Sequence, residues 1–125
     1  MRVLVDTHVL LWMLQDPSHI ADEAAEVLKA EDTAIVVSAI SLWEIAIKRA
    51  AGKLAAPENL PDRLRGLGHE ILGLTAQHAW RAGALPHHHR DPFDRALIGQ
   101  ALVEDLPLIT HDQSLFAYEA RIIRA

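Results

Sequence analysis

The chain has 125 residues, half of them hydrophobic, a formal net charge of −5 and no cysteine. That length suits one compact domain with its own core, residues 1–125, and is too short for two ordinary ones. Disulfides, thiolate metal sites and a cysteine nucleophile are excluded, which suits a cytoplasmic protein, and the acidic balance argues against holding nucleic acid through a broad basic surface.

The opening run MRVLVDTHVLLWML is apolar, but Asp6 and His8 interrupt it and it falls short of the roughly 20 residues a membrane span needs. It predicts a buried strand over Val3–Val5 and a helix over His8–Leu14, with no membrane association. A helix over Ile20–Ala30, a strand over Ala34–Val37 and a helix over Ile40–Ala51 follow. Gly52–Pro61, with two prolines and a glycine, reads as a loop, and a helix is expected over Leu60–Leu67. The second half predicts a strand over Ile71–Leu74, a helix over Ala76–Ala84, a loop over Leu85–Arg90, a helix over Pro92–Glu104 and a strand over Leu108–Thr110. Arg121–Ile123 adds a last strand. Short apolar runs of this kind are typical of parallel strands covered on both faces. Their alternation with helices predicts an α/β fold with a central, mainly parallel sheet and helices on both faces. There is no internal repeat, low-complexity tract or charge run.

Four acids fall on one edge of such a sheet. Asp6 directly follows the first strand and Asp112 the Leu108 strand, so both lie at carboxyl ends, where open α/β sheets build their sites. Glu44 stands in the first turns of the helix leaving the Ala34 strand. Asp94 stands in the first turn of a helix that leads back into the Leu108 strand. Each has a structural alternative. Asp91, ahead of Pro92, is explained by amino-terminal capping alone. Asp94 could complement the helix dipole, but Leu97, Ile98 and Ala101 share its face, which points it inward. Ser41 to Glu44 fits a capping box and Glu44 with Lys48 a surface ion pair, although Ile40, Ile47 and Ala51 lie on its stripe. An acid ending a buried strand, as Asp6 does, must be paired, hydrogen-bonded or metal-bound. Asp112 fits a cap for a short helix through Gln113 and Ser114.

Carboxylates held within a few ångströms of one another cannot all stay ionised without a cation. Hard oxygen donors without cysteine point to one or two Mg²⁺ or Mn²⁺ ions in preference to zinc. Such a cluster commonly serves phosphoryl chemistry, and the ions would supply the positive charge that this acidic chain lacks.

VDTHVLLW, VSAISLWEIAIK with GKL shortly after, HRDPFDRALIGQA and LPLITHD occur in this order and spacing. Together they resemble the PIN-domain ribonucleases of the VapC toxin type, over essentially the whole chain. The resemblance implies a single PIN-like domain and metal-dependent hydrolysis of single-stranded or looped RNA, leaving a 5′-phosphate and a 3′-hydroxyl. It implies that Asp6, Glu44, Asp94 and Asp112 bind the metal. Asp6, Glu44 and Asp94 are assigned as direct ligands, with Asp112 a ligand or a partner holding a metal-bound water. It also implies neutralisation by a cognate antitoxin protein and formation of a homodimer.

Around these acids, Thr7, Ser38 and Thr110 are candidates for hydrogen-bonding ligands or phosphate, with capping as the alternative for a hydroxyl at a strand end. Arg95 and Arg90 are candidates for phosphate contacts, with an Arg95–Asp91 ion pair as the alternative. His87, His88 and His89 form a run in a loop, where three consecutive imidazoles do not ordinarily converge on one ion. Trp12, Trp43 and Trp80 suit either base stacking or the core and interfaces, and apolar helix positions suit a groove for an antitoxin helix. Two other functions share these features: a different Mg²⁺-dependent phosphoesterase or DNA nuclease, and a non-catalytic binding domain whose acids are caps and ion pairs.

Overall fold

The computed structural model describes residues 1–88 and 90–125. Five strands form one wholly parallel sheet: β1 (Arg2–Val5), β2 (Ala34–Ser38), β3 (Glu70–Leu72), β4 (Leu108–Thr110) and β5 (Ile122–Arg124), in the order β3-β2-β1-β4-β5. Among the described residues six α-helices connect them: α1 (Thr7–Gln15), α2 (Asp22–Lys29), α3 (Ala39–Ala50), α4 (Leu60–Gly66), α5 (Ala76–Gly83) and α6 (Pro92–Glu104).

Side-chain parity along the strands divides the core in two, because successive residues point to opposite faces. Val3, Val5, Ile35, Val37 and Ile109 pack with Val9 and Leu10 of α1, Ala24 of α2, Ile45 of α3 and Leu64 of α4. Leu4, Val36 and Leu108 face the other way, onto Leu97, Ile98 and Ala101 of α6. The sheet is therefore covered on both faces, as its unbroken apolar strands require. The chain winds outward from β1 through β2 to β3, then returns to lay β4 on the opposite side of β1. The direction of winding thus reverses between β1 and β4, and ligand crevices of open α/β sheets form outside the carboxyl ends at such a point.

Several expected boundaries move. The third strand ends at Leu72, and Leu74 lies exposed beyond it. The last strand runs Ile122–Arg124, one residue later than expected. Helix α2 starts at Asp22, two residues later than expected, and a short 3-10 turn (Pro17–His19), with Pro17 in its first position where no amide is needed, precedes it. His87 and His88 are exposed in a turn, and His88 sets its ring edge against Tyr118 with centroids 5.0 Å apart. His89 lies outside the described residues.

Helix α5 lies against α6, and Gly99 permits their close approach. A Cβ at Gly99 would meet the His78 carbonyl oxygen at 2.9 Å, the Ala82 Cβ at 3.0 Å and the Ala82 nitrogen at 3.1 Å. Two of these are backbone atoms, which yield only if the helices separate. Gly99→Ala is therefore expected to destabilise the protein by about 1–3 kcal/mol despite its better helix propensity, read as a drop of several degrees in Tm by calorimetry. An unchanged or higher Tm would show that the helices separate freely.

Candidate active site

Strand β1 ends at Val5 and the chain turns at once into α1, which leaves Asp6 as the cap of that helix. Its Oδ1 accepts the Val9 amide at 2.8 Å, while Oδ2 accepts a short hydrogen bond from the Thr110 hydroxyl. Asp6 is only 4% exposed. Burial pushes its carboxyl above the usual range; the Thr110 and Val9 hydrogen bonds and His8 oppose that shift, and the neighbouring Asp112 adds to it.

Thr110, the last residue of β4, is fully buried and joins the two strand ends. While donating to Asp6, its hydroxyl oxygen accepts the Asp112 amide at 3.1 Å. The Asp112 carboxylate caps the following 3-10 turn through the Ser114 amide at 3.0 Å and hydroxyl at 2.6 Å, as its capping alternative required. Asp6, His8, Trp12, His111, Asp112 and Gln113 line a cleft of about 400 Å³ beside this pair, within the roughly 300–1,000 Å³ common for small-ligand sites.

Glu44 is 7% exposed in α3. Its Oε2 pairs with Lys48 Nζ at 2.9 Å, the ion pair weighed above, whereas Oε1 is buried without a hydrogen-bond partner among the described residues. The capping box expected from Ser41 to Glu44 does not form. Ser38 caps α3 instead, accepting the Ile40 amide at 3.0 Å, and Ser41 lies buried inside the helix. The Thr7 hydroxyl donates to Ser41 Oγ at 3.0 Å, tying the segment that carries Asp6 to the helix that carries Glu44.

Asp91 caps α6 through the Phe93 amide at 2.8 Å, as the sequence suggested, and half-buried Asp94 follows in the first turn. Phe93 and Trp43 meet edge to face with centroids 5.3 Å apart, so the first turn of α6 lies beside the turn of α3 that carries Glu44.

The structure thus links Asp6 to the Asp112 backbone through Thr110 and places Glu44 and Asp94 on adjoining helices. Among the described residues no three His, Asp or Glu side chains are gathered closely enough, as they stand, to hold an ion. The donors nonetheless fit a hard divalent cation in kind. All are carboxylate oxygens; Asp6 is desolvated next to another acid, and Glu44 Oε1 has an unmet acceptor in a buried position, two costs that a cation offsets.

Arg95 and Ser38 have protein partners. Arg95 donates to the carbonyls of Ala82 and Leu85 at 3.1 Å and of Pro86 at 3.0 Å, securing the carboxyl end of α5. Arg90 is exposed. Ser38, in addition to its cap, donates to Gln100 Oε1 at 2.5 Å.

Gln100 and His78 escaped the reading of the sequence. Gln100 is fully buried and spans from Ser38 to the Gly73 carbonyl at 3.3 Å, with its Nε2 3.4 Å from His78 Nδ1. His78 Nδ1 accepts the Thr75 amide at 3.0 Å, completing the cap of α5. This polar bridge fixes the amino end of α3, and thereby Glu44, relative to α6. A glutamine within the apolar run ALIGQALV was the available signal, because a buried polar residue demands a partner.

The raised Asp6 pKa means that, between the unfolded-state value and the folded-state value, the folded chain binds more protons. The stability of the metal-free protein therefore falls as pH rises through that window, and the full cost of ionised Asp6 is present above it. Asparagine caps a helix as well as aspartate does. Asp6→Asn, in EDTA at pH 7, is expected to melt a few degrees above the wild type, and the gain should vanish below the unfolded carboxylate range. Calorimetry across pH decides; an equal or lower Tm at neutral pH would show that the Asp6 charge is already compensated.

The sequence matches the PIN-domain family over residues 3–120. It is 30% identical over 121 residues to Ribonuclease VapC22 of Mycobacterium tuberculosis, covering 90% of this chain and 88% of that protein. The fold is similar to VapBC2 from Rickettsia felis bound to a promoter DNA fragment, with a TM-score of 0.73, 18% identity and coverage of 100% and 99% of the two chains. It is also similar to a toxin-antitoxin complex from Klebsiella pneumoniae, with a TM-score of 0.67, 20% identity and coverage of 97% and 95%. With the family matched along nearly its whole length and a VapC ribonuclease at 30% identity, the chain belongs to the PIN-domain family and is of the VapC type.

Proposed function

We propose that the protein is an endoribonuclease toxin that hydrolyses phosphodiester bonds at the carboxyl ends of β1 and β4, with Asp6, Glu44, Asp94 and Asp112 as its metal-binding residues. The observation that carries this reading is the coupled pair Asp6–Thr110–Asp112 at the reversal point of the sheet, opening onto a cleft. Similarity to Ribonuclease VapC22 supports RNA as the substrate.

A divalent cation, Mg²⁺ or Mn²⁺, would supply Lewis acidity toward the phosphate and lower the pKa of an attacking water. The chain's own contribution is placement. Thr110 and the Val9 amide hold the two oxygens of Asp6 from different sides, which leaves its remaining lone pairs aimed by fixed donors. Glu44 Oε1 keeps an acceptor position that no protein donor uses. In the hydrolysis itself, water adds to phosphorus, the bond from phosphorus to the 3′ oxygen breaks, and that oxygen leaves as a hydroxyl on taking a proton. The products are a 5′-phosphate and a 3′-hydroxyl.

A cognate antitoxin is the proposed restraint on this activity, supported by likeness to a toxin-antitoxin complex, and a homodimer and a cytoplasmic setting go with it. Among the described residues no helix is long and apolar enough to cross a membrane. The Glu44–Lys48 ion pair and the absence of three gathered acids among the described residues favour a second reading, a non-catalytic binding domain.

Incubation of the antitoxin-free protein with a mixed cellular RNA pool separates the two. Cleavage is expected with Mg²⁺ or Mn²⁺, to stop in EDTA, and to fall on the order of 100-fold in Asp94→Asn. Folded protein that leaves RNA intact under every metal condition would overturn the ribonuclease reading, and cleavage of DNA alone would move the substrate class.

A further inference from the structure

The cleft beside Asp6 is lined by two unlike kinds of group, the acids Asp6 and Asp112 and an aromatic wall of Trp12 and His111, with His8 and Gln113 completing it. Trp12, in α1, is half-buried and turns part of its indole into the cleft. His19 stacks on it at 23° with centroids 5.5 Å apart, and His111 meets it edge-on at 65° and 5.4 Å. Both imidazoles are anchored in turn. His19 Nε2 lies 3.2 Å from Asp16 Oδ2, and His111 Nδ1 lies 3.1 Å from the Ala125 carbonyl oxygen. The wall is therefore assembled without a ligand and loses little freedom on receiving one.

We infer that Trp12, braced by His19 and His111, is a base-binding subsite that takes one unpaired nucleobase of the substrate next to the phosphate held at the acids. Two observations favour a nucleotide over other occupants. A planar apolar surface lines the same cleft as carboxylates suited to a cation and, through it, a phosphate, and a nucleotide joins those two chemistries in one molecule. The cleft also lacks the lysines and arginines of a backbone-tracking groove, so contact to the base has to supply affinity that electrostatics does not. A stacked base in a duplex presents no free face to such a wall, so the subsite selects single-stranded or looped substrate. This rests on the nuclease reading above and assigns it a specificity-determining residue.

Two measurements on the full chain in Mg²⁺ test it. The three tryptophans give separate indole N–H signals in a nitrogen-15 correlation spectrum, with Trp12 assigned through Trp12→Phe. AMP and UMP are expected to shift the Trp12 signal more than those of Trp43 and Trp80, while ribose 5-phosphate leaves it in place. A shift of equal size with ribose 5-phosphate, or none with any of the three, would overturn the subsite, and the second result would leave the wall to a protein side chain. In steady-state cleavage of an unpaired oligoribonucleotide, Trp12→Leu is expected to raise KM about tenfold, the loss of one base stack, with kcat within about twofold. Trp12→Phe should restore KM. Equal KM values in all three proteins, with melting temperatures showing each folded, would also overturn it. Should the wild type cleave no RNA, the nuclease reading fails, while the indole signals still decide the subsite.

Discussion

Thr110 donates its hydroxyl to Asp6 across the step from β4 to β1 and accepts the Asp112 amide on the same oxygen. The two strands it joins are neighbours only because the chain reverses its winding direction there. One buried hydroxyl thus converts a topological feature of the sheet into a chemical one. It holds the buried Asp6 carboxylate and the backbone of the partly buried Asp112 on one oxygen, close enough that the Asp112 charge adds to the cost of ionising Asp6. The burial that raises the Asp6 pKa is the same burial that makes a cation favourable at this position.

Everything else in the site answers to the cost of that arrangement. The helices carrying Glu44 and Asp94 are not free to drift, because polar ties cross the apolar core to fix them. Thr7 holds Ser41, Ser38 holds Gln100, and Gln100 reaches the loop ahead of α5. Buried hydrogen bonds of this kind contribute little net stability when made and cost much when broken, so they specify position more than they add strength. Gly99 serves the same end by letting α5 close onto α6.

The α/β architecture was readable because apolar runs and helix-length segments alternate, and because parity along each strand must serve two cores. Capping at Asp91 and Asp112 was likewise local enough to read or to weigh, whereas the cap at Asp6 was not, because the strand ending there drew the reading toward pairing or metal. Features set by tertiary pairing were not. The Ser41 to Glu44 stretch has the pattern of a capping box, yet Ser38 takes the cap because it ends the strand, and Ser41 is spent on Thr7. Arg95 has the charge for a phosphate, yet three carbonyls at the end of α5 lie within its reach. Gln100 and His78 carry no motif at all; their importance appears only when the elements they bridge are placed in space.

In the proposed mechanism four acids from four separate segments, Asp6, Glu44, Asp94 and Asp112, act as one cation site. The most direct measurement is the rise in Tm with added Mn²⁺ for the wild type and for Asp6→Asn, Glu44→Gln, Asp94→Asn and Asp112→Asn, since an ion that binds only the folded state must stabilise it. The rise is expected to grow with Mn²⁺ concentration in the wild type and to be reduced in each of the four variants. A wild type indifferent to Mn²⁺, or an equal rise in all five proteins, would contradict it.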